Sequence, residues 1–294
     1  QAEDGIRDVE RSRGLGDVYK RQGYTRDRKP IYARDLNAQG AMAALLKDAL
    51  KPNLVQTLEN NPAFIHTGPF GNIAHGTNSL LATKIALKLG EIVIQEAGFG
   101  ADLGAEKFLN IVCPLGGFHP DAAVLVASIR ALKYHGGKKK DELKEEDLEA
   151  LKRGLPNLEK HIENLRKFGV NPVVALNAFP TDTEAEKDLV LSHLAGLGVP
   201  AALTEVWAKG GEGGIELAKK VLEALEKGSP DYHPLYKKED SLFDKIEIVA
   251  KEVYGADGVD YVGRSRSQVK RYEDMGFGDA YICMAKTQYS LSDN

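Results

Sequence analysis

Within Asn61–Phe108 the chain gathers most of the side chains that could do chemistry. The run NPAFIHTGPFGNIAHG places His66 and His75 among closely spaced Pro and Gly, and GFGADLGAEKF adds Asp102 and Glu106. Pro and Gly recur there too often for a regular element. Backbone N–H groups of such a loop can approach a ligand closely, with the imidazoles and carboxylates as titratable partners. An ordinary surface loop fits the same residues equally well. The spacing of His66 and His75 matches no metal motif, and no G-x-S-x-G, paired CxxC or HExxH occurs. A second set lies further on. Asn177, Phe179, Pro180, Thr181 and Asp182 follow one apolar run, and Trp207 and Lys209 follow the next. Two aromatic rings at one sheet edge could sandwich a flat heterocycle, or could merely pack together. The run from Lys209 through Gly210, Gly211 and Glu212 to Gly214 opens a helix whose free N–H groups favour an anion. A plain flexible loop is the alternative there.

The elements that must position these groups are legible from periodicity. Asp35 is expected to cap a helix near 36–50 with Met42, Leu45, Leu46 and Ala49 as its apolar stripe. Residues 54–58 read as a strand. Thr77 or Asn78 is expected to cap a helix reaching Leu89, with 91–96 a short strand after it. The apolar run 122–129 reads as a strand covered on both faces. Residues 136–153 are charged with mixed sign, the pattern of a solvated helix. Helices at 158–168, 184–197 and 215–226 then alternate with strands at 172–176 and 201–205, which predicts a parallel sheet with helices on both faces. Ligands of such sheets sit at the carboxyl ends of the strands, so the loops after 176 and 205 are the informative ones. Toward the end, 241–253 and 265–275 read as helices and the stretches 255–262 and 279–290 as short strands with turns.

Composition narrows the function class. A net charge of −4 argues against a general nucleic-acid binder. No apolar run is long enough to cross a bilayer, and the polar N-terminus shows no signal peptide. Cys113 and Cys283 lie far apart, which suits reduced core thiols in a cytoplasmic protein better than a disulfide framework. Residues 1–22 carry balanced charge, little apolar content and no sustained period. They resemble translated adapter sequence or a disordered tail, which leaves 23–294 as the folded portion.

The block PAFIHTGPFGNIAHG…EAGFGADLGAEKF, with NAFPTDTEAE, WAKGGEGG and KTQYSLSD further on, resembles the formate–tetrahydrofolate ligase family. Thr67, Gly71 and Thr77 depart from the family pattern, all by small changes. The resemblance covers essentially all of 23–294 and implies an α/β fold with a parallel sheet of P-loop-NTPase-like (Rossmann-like) three-layer architecture, incomplete here. It implies ATP-dependent ligation of formate to tetrahydrofolate through formyl phosphate, with ATP and Mg2+, a monovalent cation, and a homo-oligomer when intact. By the same resemblance Phe179 and Trp207 are folate-binding aromatics, with Leu203 and Phe99 as further pocket walls beside Pro180. His66 and His75 become catalytic candidates. Lys209, Gly210, Gly211, Asn177, Thr181 and Asp182 become anion- or nucleotide-binding candidates, and Lys286–Asp293 lines the pocket or the nucleotide. No G-x-x-x-x-G-K-[ST] occurs in the sequence. The expectation is therefore an internal fragment, inactive alone, that carries the central and folate-binding portion. A folate-binding or ligase-docking module without chemistry is the alternative, and the ligase domain of a larger multifunctional enzyme is a third reading.

Overall fold

The computed structural model describes residues 21–27, 29–67, 76–285 and 291. Its contacts fall into two units, divided between Ala97 and Gly98.

The first unit is built from short hairpins. Strand β1 (Arg21–Tyr24) pairs antiparallel with β2 (Pro30–Tyr32), so pairing begins at Arg21, inside the stretch set aside as a tail. Asp35 does not cap a helix. Its carboxylate accepts the Tyr32 N–H at 2.8 Å across the 3-10 turn Ala33–Leu36, and helix α1 (Gln39–Leu46) starts only afterwards. No residue of α1 is buried, so its apolar stripe covers no core. Strand β3 (Asn53–Gln56) pairs antiparallel with β4 (Pro62–Ile65), which sets Leu54 opposite Phe64.

The cap of helix α2 (Leu80–Leu89) is Ser79, whose Oγ accepts the Ala82 N–H at 3.0 Å. Asn78 is spent elsewhere: its Oδ1 accepts the His66 N–H and its Nδ2 donates to the Phe64 carbonyl, bracing the exit of β4. The expected strand at 91–96 does not form. Among the described residues nothing pairs with it, and Ile94 is left exposed.

Thr67 has φ +48°, in the left-handed region where a β-branched side chain is crowded. Thr67→Gly is expected to stabilise the chain by about 1 kcal/mol or somewhat less, because relief of strain outweighs the added freedom of the unfolded glycine. A higher urea midpoint for the variant checks this, and a lower one would show that the Thr67 hydroxyl, which donates to the His66 carbonyl at 2.7 Å, matters more than the strain.

The second unit opens with a correction. GADLGAEKF is not a loop but the start of a continuous helical rod, α3 (100–116), in which α-helical turns alternate with π-helical ones at Gly100–Gly104 and Phe108–Val112. Its glycine serves close packing: a Cβ on Gly104 would lie 2.0 Å from the Gly98 carbonyl oxygen. Strand β5 (Ala123–Ala127) follows, then α4 (Ile129–His135) and α5 (Leu148–Lys167), with Asp147 capping α5 through the Ala150 N–H. The charged stretch before α5 forms only a 3-10 turn, Lys140–Glu142, with Lys138 paired to Glu145 and Asp147.

Strand β6 (Pro172–Asn177), helix α6 (Glu184–Gly196), strand β7 (Ala201–Thr204) and helix α7 (Ile215–Lys227) complete the alternation. The three strands are parallel in the order β5-β6-β7, with Leu125 beside Val174 and Leu176 beside Leu203. Successive side chains on a strand point to opposite faces. Val174 and Leu176 pack with Leu132, Leu151, Leu155, Leu158 and Leu194 of α4, α5 and α6 into one core. Ala175 and Ala202 face the other way, where α7 lies against β6 and β7. That cover stops short of β5. Val124 and Val126 are 45% and 66% exposed, so β5, an edge strand among the described residues, is bare on one face rather than covered on both.

Helix α8 (Leu242–Ile248) continues as a π-helical turn through Val253, and α9 (Ser265–Tyr272) follows. The expected strands within 255–262 and 279–285 are absent. Their backbone has no partner strand, since β5, β6 and β7 complete the sheet among the described residues.

Candidate functional site

Because β5, β6 and β7 run parallel, their carboxyl ends open on one edge of the sheet, and the chain leaves each strand there through a different loop. After β6 the chain is held tightly. Ala178 N–H bonds to the Thr204 carbonyl at 3.0 Å, which carries the pairing past the end of the strand. The turn that follows is closed by Asp182: its Oδ2 accepts the Phe179 N–H at 2.9 Å, while its own N–H returns to the Phe179 carbonyl. Asp182 is 6% exposed, with Oδ1 buried and unpartnered. Phe179 is half-buried and Pro180 exposed at the tip. Thr183 then caps α6 in a reciprocal box with Glu186.

After β7 comes a helical turn, Val206–Lys209, that displays Trp207 with 63% of its surface exposed. Lys209 donates to Glu205 one turn back, an ion pair that holds the Glu205 carboxyl below its usual range. Gly210 takes φ +59°, and the 3-10 turn Gly210–Gly214 leads directly into α7. Gly213 admits no side chain, since a Cβ would meet the Glu205 carbonyl carbon at 2.5 Å.

After β5 the chain turns at Ser128, which caps α4, and presents Arg130. Its guanidinium carbon lies 4.2 Å from the centre of the Phe179 ring, and Nη2 donates to Thr181 Oγ1 at 2.9 Å. Arg130 was not among the expected site residues. The rule that singled out the loops after β6 and β7 applies equally to the loop after β5, and would have found it.

A second concentration of polar groups is buried along α3. Asp102 and Glu106 are 1% and 0% exposed. Burial pushes the Asp102 carboxyl up to about 6 and that of Glu106 up to about 7. Glu106 Oε1 accepts Asn110 Nδ2 at 2.7 Å, and Asn110 Oδ1 accepts the Leu235 N–H. His161 Nδ1 stands 3.8 Å from Asp102 Oδ1, with burial holding its pKa down to about 4. Neutral imidazole beside a carboxyl of raised pKa describes a low-dielectric interior, not an ion pair.

A family model for formate–tetrahydrofolate ligase matches residues 14–294. The chain belongs to the formate–tetrahydrofolate ligase family. The match takes in residues 14–22 of the stretch set aside as a tail, in keeping with a β1 that starts at Arg21.

Among the candidates drawn from the likeness to formate–tetrahydrofolate ligases, Asn177 is the last residue of β6, paired with Thr204, and Phe179, Pro180, Thr181, Asp182, Trp207, Lys209, Gly210 and Gly211 lie in the two segments that follow β6 and β7 at the sheet's carboxyl edge. Leu203 lies in β7 and packs partly into the core beside Leu176, facing α4, α5 and α6. Phe99, 57% exposed, is the N-cap residue of α3. His66 belongs to the first unit and is 5% exposed. Its Nε2 lies 2.8 Å from the Ala49 carbonyl and its Nδ1 2.6 Å from Ser79 Oγ. A carbonyl only accepts, so Nε2 carries a proton, and in the neutral ring Nδ1 accepts from the Ser79 hydroxyl. Both ring nitrogens are thus committed within that unit. His75 and residues 286–290 and 292–294 lie outside the described residues.

Cys113 and Cys283 are free, and burial pushes the Cys113 thiol up to about 12. Among the described residues no group of three or more His, Cys, Asp or Glu side chains converges to hold a metal, and no helix is long and apolar enough to cross a membrane.

Proposed function

We propose that the carboxyl edge of the β5-β6-β7 sheet is the tetrahydrofolate-binding face of a formate–tetrahydrofolate ligase, with Phe179 and Trp207 stacking on the flat ring system of the substrate. The observation that supports this is that the two aromatics leave adjacent parallel strands in successive loops of one edge. Aromatic stacking contributes about 1 kcal/mol per ring beyond the area it buries. Leu203, Pro180 and Phe99 are proposed as apolar pocket walls. Lys209, Gly210, Gly211, Asn177 and Thr181 are proposed as polar contacts at the rim, and Asp182 as the residue that closes the Phe179 turn. His66 and His75 are kept as candidates for contact with the acyl group. The hydrogen bonds of His66 favour a share in shaping the backbone around it rather than proton transfer.

In the intact enzyme the proposed reaction has two steps. A formate oxygen attacks the terminal phosphorus of ATP, releasing ADP and forming formyl phosphate. The N10 amine of tetrahydrofolate then attacks the formyl carbon, the C–O bond to phosphate breaks, and the amine proton is lost as 10-formyltetrahydrofolate forms. This chain's part is to bind and orient the amine-bearing partner, which turns a bimolecular encounter into an oriented one. The phosphate-binding part of a P-loop-like three-layer fold, with Mg2+ and a monovalent cation, is assigned to the intact cytoplasmic homo-oligomer, and no residue described here is given to either ion.

Trp207 is the sole tryptophan, so its fluorescence reports on this edge alone. Titration with tetrahydrofolate is expected to give saturable quenching, and Phe179→Ala to raise the dissociation constant by about tenfold. Folded protein without saturable quenching would remove the folate reading. One sequence observation favours a second reading, a folate-binding or docking module without chemistry: no Gly-Lys-Ser/Thr phosphate loop occurs in these residues. Folate binding with no ATP- and formate-dependent 10-formyltetrahydrofolate would select it.

A further inference from the structure

We infer that Arg130 is a positioning residue of the folate face: it fixes the Phe179 ring and the turn that carries it in the orientation that binds the substrate ring. The inference rests on reading the sheet edge as that face.

The base of Arg130 is fixed. It is the second residue of α4, between Ile129, 0% exposed, and Leu132, 3% exposed in the sheet core, and Ser128 Oγ ties down the first turn through the Ala131 N–H at 3.3 Å. From this anchor the side chain spans the gap between the exits of two neighbouring strands. Its planar guanidinium lies over Phe179, and Nη2 holds Thr181 two residues further along the same turn. Nε is buried with no hydrogen-bond partner. A charged group that leaves one donor unsatisfied while its carbon sits over a ring is placed for the ring and not for hydrogen bonding alone. One face of the ring is therefore taken by a cation, and the inferred ligand would stack on the other. Arg is the residue type for this task, because its delocalised plane stacks and donates in fixed directions at once, which an ammonium cannot do.

The turn can be tested with and without ligand. In the free protein, Arg130→Met is expected to speed exchange of the Phe179 and Asp182 amide hydrogens by about tenfold or more, while the amides inside β6 keep wild-type protection. With tetrahydrofolate, the Trp207 quenching titration is expected to give a dissociation constant about tenfold higher for Arg130→Met. Arg130→Lys keeps the cation without the planar fork and is expected to fall between the two. Should Arg130→Met fail to fold, Arg130→Lys carries both comparisons.

Tighter folate binding by Arg130→Met would overturn the inference by showing that Arg130 occupies the ligand's place. So would unchanged affinity, or unchanged exchange at Phe179 and Asp182. If the wild-type protein shows no saturable quenching, the folate reading fails, and the exchange measurement still decides whether Arg130 holds the turn.

Discussion

Lys133→Met is expected to destabilise the second unit by about 3–5 kcal/mol, the usual cost of stranding one member of a buried ion pair. Lys133 Nζ lies 2.7 Å from Glu186 Oε1 with both side chains fully buried, and also donates to the Glu145 carbonyl at 2.8 Å. Glu186 is committed in turn: Oε1 accepts the Asp147 N–H and Oε2 the Thr183 N–H. Burial alone would raise the Glu186 carboxyl, but Lys133 and the amide donors outweigh it and hold it below the usual range. Without Lys133 an ionised carboxylate remains in the core. Urea unfolding at neutral pH measures the loss. The deficit should shrink as the pH is lowered, because the stranded carboxylate can then take up a proton. Lys133→Met with Glu186→Gln should recover a good part of it, since a neutral amide still accepts the Asp147 N–H. A single-variant loss below about 1 kcal/mol would show that the pair is solvated rather than buried. The pair joins α4, which carries Arg130, to the start of α6, which follows the Phe179 turn.

Glu106→Gln is expected to act in the opposite sense, and only at higher pH. Glu106 is fully buried, Oε2 has no partner, and the folded-state pKa of about 7 stands above the ordinary value of 4.5. A group whose pKa is raised by folding contributes stability below its unfolded pKa and loses it as the pH rises through the folded value. The wild-type protein should therefore weaken between about pH 5 and pH 8 on account of this carboxyl. Glutamine cannot ionise and still accepts from Asn110. The variant should match wild type near the acid end and exceed it by about 3 kcal/mol at the alkaline end, the free energy equivalent of the shift. Denaturant midpoints of both proteins across that range test this, and a difference independent of pH would refute it. Asp102, pushed up to about 6, loses stability in the same direction over a lower window.

The parts of the fold that sequence made legible are those where one signal decides. Val173 to Leu176 can be nothing but a buried strand, and the Thr183–Glu186 box marks the start of α6 by chemistry alone. The parallel alternation also put Phe179 and Trp207 in loops of one edge, while their candidacy as folate-binding rings came from the resemblance to formate–tetrahydrofolate ligases and not from the alternation. Other features depend on partners that are remote in sequence. The GADLGAEKF helix was masked by its glycines, which look like loop residues until Gly104 is seen against Gly98. Residues 91–96 have strand composition but, among the described residues, no neighbour to pair with, and composition carries no information about neighbours. The same holds for Lys133 and Glu186, each an ordinary polar residue on its own helix until the fold joins them.

The order of the strands in space is also their order along the chain. Each strand can therefore pair with its predecessor as soon as it is made, across a single helix-bearing crossover, with no earlier segment held open for a later one. The loops of the sheet's carboxyl edge are acquired in the same sequence, with Arg130 supplied first, the Phe179 turn closing onto it next, and Trp207 last, when the third strand docks.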